Sequence, residues 1–201
     1  MDEISKPVLG RMDYKMTDII KLALDAGFTQ AGEMNMDAMI FRPEVRDMCA
    51  ADRCHNYGRC WTCPPYCGTL EESRERTSHY DSGILVQCTG DMEDDFDYET
   101  IQETMKNHRA AMHSLIPVLK EKGLDILAFG GGGCGLCEKC TCPDEPCRHP
   151  DMALSSMEAY GMVVNDVCTA SGIPYNYGRQ KMTFTGCILY KKNEAEALGL
   201  R

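Results

Sequence analysis

The stretch from Phe129 to Pro150, FGGGGCGLCEKCTCPDEPCRHP, constrains this chain more than any other. It sets Cys134, Cys137, Cys140, Cys142 and Cys147 directly behind four glycines. The first three cysteines follow C-x2-C-x2-C spacing. A tight turn at each C-x2-C step brings both sulfurs to one side, so each step chelates. Three successive steps point thiolates towards three corners. That suits a cubane, in which each iron takes one thiolate, better than a tetrahedral zinc fed by two separate turn pairs. Cys147, followed by Arg148, His149 and Pro150, is the natural fourth ligand. Glycines without a Cβ let the backbone approach such a cluster and aim N–H groups at its sulfides. Gly132, Gly133 and Gly135 are therefore candidate cofactor-binding residues, with Arg148 beside the fourth ligand.

A second constellation precedes it: CAADRCHNYGRCWTCPPYCG, with Cys49, Cys54, Cys60, Cys63 and Cys67. Cys63-Pro64 resembles the Cys-Pro step that follows a cluster ligand, where proline turns the chain away after ligation. Five cysteines exceed the four that one cubane uses. The expected set is Cys49, Cys54, Cys63 and Cys67, with Cys60 as the spare. His55 reads as a surface residue or a donor behind the ligands. Trp61, the only tryptophan, is a candidate shield against water, with ordinary packing as the alternative.

Compartment and charge narrow the classes. Ten of the thirteen cysteines fall in these two groups, and the total is odd, so metal ligation fits better than a disulfide framework. The opening MDEISKPVLG has neither a basic segment nor an apolar run, and no apolar stretch reaches membrane-spanning length. A soluble, cytoplasmic protein with no membrane partner is expected. A formal net charge of -10 argues against nucleic acid and anionic lipid, and would steer a partner with a basic patch.

The rest of the chain reads as one α/β domain over residues 1–201, with cluster loops at about 49–67 and 130–150. Helices are expected over Thr17–Gly27, Leu70–Tyr80 and Asp97–Lys122. In the last, Ile101, Met105, His108, Met112, Leu115 and Leu119 form one buried stripe, and Pro117 should kink it. His108 on that stripe reads as a core histidine. Strands are expected at Met34–Phe41, Ser82–Thr89, Leu124–Phe129 and Met182–Tyr190. Cys88, Cys168 and Cys187 read as core. A capping box, Ser155 with Glu158, should start a further helix that Gly172 closes. The polar tail should fray or form a short helix. Alternating helices and strands predict a small mixed sheet flanked by helices, with each Cys-rich loop following a strand.

Two motifs then resemble a known family. One is CxxxxCxxYGxxWxCPP, here Cys49, Cys54, Tyr57, Gly58, Trp61, Cys63, Pro64 and Pro65. The other is GGxCxLCxxC…CRHP…SMEAYG, here Gly132 to Cys140, Cys147 to Pro150 and Ser156 to Gly161. Together they resemble a family of predicted metal-binding proteins of unknown function from anaerobic bacteria and archaea. The resemblance implies metal binding and assigns no reaction. The chain departs from the family pattern at Cys60 and Cys142.

Three functions fit these residues. The first is an electron carrier with two [4Fe-4S] clusters and a redox partner protein. The second is a redox enzyme or activator with an unusual or site-differentiated cluster, near which Tyr57, Arg148, His149 and Glu158 lie. The third is a zinc-stapled interaction module. The glycine run does not lead into a helix, so it is no phosphate cradle. Neither a Ser–His–acid set nor a carboxylate pair stands out.

Overall fold

The structure, a computed structural model, describes residues 19–200. Thr17 and Asp18 of the expected first helix, and the opening decapeptide, lie outside those residues. The elements in chain order are α1 (Ile19–Asp25), β1 (Gln30–Glu33), α2 (Pro43–Ala50), α3 (Leu70–Thr77), β2 (Ser82–Asp91), α4 (Tyr98–Glu121), β3 (Ile126–Phe129), α5 (Val164–Ala170), β4 (Lys181–Tyr190) and α6 (Lys192–Ala197). Short 3-10 turns occupy Met36–Ala38 and Glu158–Tyr160.

The four strands form one sheet in the order β1-β2-β4-β3, and every neighbouring pair is antiparallel. This corrects the mixed sheet expected from the sequence. The strand–helix–strand run β2-α4-β3 does leave β2 and β3 parallel to each other. They never pair, because β4, arriving last, inserts between them and bonds to both. The two long strands pair over their full length, from Ser82 opposite Tyr190 to Asp91 opposite Lys181.

Alternate side chains of these strands feed two separate cores, as the two-residue strand period dictates. Ile84, Val86, Cys88 and Ile188 pack beneath α1 and α4 with Met112, Leu115 and Leu119. Leu85, Cys187, Leu189 and Phe129 face the other way, onto Met157, Tyr160, Met162, Val167 and Cys168. The three cysteines expected in the core, Cys88, Cys168 and Cys187, are all buried there.

Local chemistry explains most boundaries. Asp97 caps α4 by accepting from the Thr100 N–H at 3.0 Å. Thr69 and Glu72 close a reciprocal capping box on α3. Helix α4 runs on through Pro117 without restarting. Pro117 lies on the exposed side of α4, away from the buried residues Leu115, Ile116 and Leu119.

Three boundaries differ from expectation. The strand sought at Met34–Phe41 lies earlier, at Gln30–Glu33, and Phe41 makes only an isolated bridge to Met162. The first Cys-rich loop therefore follows a helix, and Cys49 sits in the last turn of α2. The helix expected from Ser155 is broken in two: Gly161 adopts φ 90, and its carbonyl accepts the Arg42 N–H. In that left-handed conformation only glycine is at ease. Met157 stands at the N-cap of this turn without a side-chain cap, and the Ser156 hydroxyl just before it accepts the Ala159 N–H.

Candidate metal centre

The second loop leaves the end of β3. The Gly130 N–H donates to the Ser155 carbonyl at 2.9 Å, which fixes where the glycine run departs from the sheet. Gly135 has φ 60, and any Cβ there would run into the guanidinium of Arg109. The positive φ makes a side chain at 135 strained, and one there would also have to displace the Arg109 guanidinium. Arg109 reaches down from α4 and donates to the Gly133 carbonyl at 3.4 Å.

The first loop is tied by its own turns. The Cys63 N–H donates to the Cys60 carbonyl at 3.0 Å, closing the C-x2-C turn, and the Cys67 N–H donates to Cys63 at 3.1 Å. Asp52 accepts from the Tyr57 N–H and pairs with Arg59. The Cys49 and Cys67 thiols lie against the neighbouring carbonyls of Glu158 and Ala159.

The two loops meet. The Trp61 indole N–H donates to the Glu145 carbonyl, and a Cβ at Gly133 would come within 3.0 Å of the Asn56 amide. Cys60, Cys134, Cys137, Cys140 and Cys147 line one cavity between them, with Trp61, Arg148 and His149 around it. The sequence reading had set Cys60 aside; the structure seats it among the thiols of the other loop. Cys142 is 8% exposed and does not line that cavity. Cys54 is exposed, as is His55.

Electrostatics single out Cys60. Hydrogen bonds from the Cys63 thiol above all, and from Thr62 and the Cys140 thiol, overcome burial and pull its pKa down to about 5. Cys63 is pushed up in turn, because its proton is the one Cys60 accepts. Burial is the leading cause that raises Cys49, Cys67 and Cys134. Arginines act against it: Arg46 on Cys49 and Cys67, Arg109 on Cys134.

Arg46 was not evident from the sequence as part of the site. It lies three residues before Cys49, one helical turn away on α2, and that spacing was the available signal. Its Nη2 donates to the Gly68 carbonyl at 2.7 Å, while its buried Nε has no partner among the described residues. Among the described residues neither Arg46 nor Arg109 forms an ion pair with a carboxylate. Cationic side chains without acids, set beside clustered thiols, are what a thiolate-held metal group needs to offset its negative charge. The donor set is all sulfur, which suits soft-ligand metals.

Fold and site define a cysteine-rich α/β protein in which Cys60 of the first loop shares a cavity with four thiols of the second, beside an antiparallel sheet. A family model described as a predicted metal-binding protein, DUF2284, matches residues 32–190, and the chain belongs to that family. Both thiol sets fall inside the matched span. Comparison with curated proteins and with solved structures finds no match. Among the described residues no helix is long and apolar enough to cross a membrane.

Proposed function

We propose that this is an iron–sulfur protein that carries electrons through two [4Fe-4S] clusters. Cys49, Cys54, Cys63 and Cys67 would hold one, and Cys134, Cys137, Cys140 and Cys147 the other. The observation that carries this reading is Cys60, a first-loop thiol that lines one cavity with Cys134, Cys137, Cys140 and Cys147 of the second loop. Metal groups held by sets in such contact are neighbours, as a relay requires. When bound, each cluster supplies a site that takes up and returns one electron.

The chain's own part is to hold, offset and shield. Arg46 and Arg109 neutralise thiolate charge from opposite sides, and Trp61 covers the junction. The acidic surface favours docking by a redox partner with a basic face. A single tetrahedral zinc, with bonds of about 2.3 Å, draws its sulfurs to about 3.8 Å apart. Among the described residues no three Cys, His, Asp or Glu side chains gather around one such point.

Anaerobically purified protein tests the reading. It should be brown, hold on the order of eight irons with matching sulfide, and give two reducible EPR signals. Colourless protein with zinc and no acid-labile sulfide would overturn it. About four irons with a substrate-dependent signal would point instead to a single site-differentiated cluster and to catalysis.

A further inference from the structure

Behind the second loop lies a polar gap that the metal reading does not use. His108 on α4 is 2% exposed, and its ring packs edge-on against Phe28 at 5.4 Å. One ring nitrogen is hydrogen-bonded to the backbone of Val86, as a donor to its carbonyl. The other, Nε2, is buried with no partner among the described residues. An imidazole that donates through Nδ1 carries a bare lone pair at Nε2, which wants a donor.

His108 lines a cavity between α4 and the glycine run, shared with Arg109, Gly131, Gly132, Gly133 and Cys134. Space is tight around the His108 ring, and a Cβ on Gly186 would also run into the Phe129 carbonyl oxygen. A Cβ on Gly131 would stand 3.4 Å from His108 Cε1, and one on Gly186 would stand 3.1 Å from Nε2. The N–H groups of Gly131, Gly132 and Gly133 donate to no acceptor among the described residues. The space open to a water centre is about 20 Å³, where about 10 to 15 Å³ admits one molecule.

From this we infer that the cavity is a binding site for one small hydrogen-bond donor, water in the resting protein. It donates to His108 Nε2 and accepts from a glycine N–H. A buried acceptor with no partner, on a residue that lines a gap of one-water size, is costly when dry, and one donor molecule satisfies it. An apolar gap of the same size would stay empty. The bound molecule joins α4 to the loop that carries Cys134, which makes His108 a positioning residue for that cysteine. The inference concerns this chain's own atoms and stands whether or not the bound metal is iron–sulfur.

The test is a crystal structure of the full-length protein at a resolution that places waters. Full-occupancy density within hydrogen-bond distance of both His108 Nε2 and a glycine N–H is expected. His108→Gln, which keeps an acceptor, should retain it; His108→Phe should lose it altogether. A dry cavity in the wild type overturns the inference, and so does a water that stays in place in His108→Phe. The wild-type map decides even if neither variant folds. Iron analysis of the same crystals reports separately on the metal.

Discussion

The indole N–H of Trp61 donates to the carbonyl of Glu145 at 3.1 Å. The two residues belong to different cysteine loops, and that bond fastens one loop to the other. The Trp61 ring is itself steadied edge-on by Tyr66, with centroids 5.2 Å apart.

Trp61→Phe keeps most of the aromatic area and removes the bond. Stability should fall by about 1 kcal/mol, the net worth of one such hydrogen bond, read from urea midpoints. Metal should also be lost faster in air, followed by the decay of visible absorption. If both quantities match wild type, Trp61 fastens nothing.

Cys60 and Cys142 should part company on substitution. Cys60→Ser removes a first-loop thiol that lines the second loop's cavity, so it should lower iron content or alter the EPR spectrum. Cys142→Ser lies off the shared cavity and should leave both unchanged. The reverse pattern, with Cys142 essential and Cys60 silent, would break the proposed junction.

Arg46→Leu leaves Cys49 and Cys67 without their nearest positive charge. Their thiols should become less acidic and metal retention should weaken by roughly 10- to 100-fold, the usual scale for groups behind metal ligands. Competition against a chelator measures this, and Arg46→Lys should recover part of the loss. Wild-type retention in Arg46→Leu would remove the guanidinium from the site.

His108 makes stability depend on pH. Burial holds its pKa down to about 4, against an ordinary 6.5; the Val86 hydrogen bond opposes this and Arg109 adds to it. The unfolded chain therefore binds the proton first as pH falls. The stabilisation is complete above about pH 6.5 and is lost between there and about pH 4, amounting to about 3 kcal/mol. Urea unfolding at pH 7.5 and 5, compared with His108→Phe, isolates it. An equal pH slope in both proteins would show that His108 titrates normally.

Much of the framework was legible because its signals are local. The buried runs of β2 and β4 and the apolar stripe of α4 follow from period and propensity, and the structure keeps all three within a residue or two at each end. Which strands pair was not legible. Strand alternation with helices says that β2 and β3 run the same way, but nothing in their residues says that a strand some fifty positions later will part them. The site divides likewise. Spacing brought out the two cysteine groups, whereas the contact of Cys60 with Cys140 depends on how two loops far apart in sequence fold together. The burial of His108 was legible from the stripe of α4, but which glycines lie near it across the fold was not; Arg46, one turn before Cys49, did carry a local signal.

The position of β4 bears on how the molecule is made. Among the described residues it is the last strand and the only one that pairs with both β2 and β3. During synthesis both cysteine loops leave the ribosome while the strands that anchor them have no common neighbour. Long-range pairing of this kind is slow, and unpaired edges invite aggregation. The thiol platform is thus completed only when Lys181–Tyr190 arrives. A chain ending before Lys181 has its cysteines but lacks the strand that joins β2 to β3 beneath them.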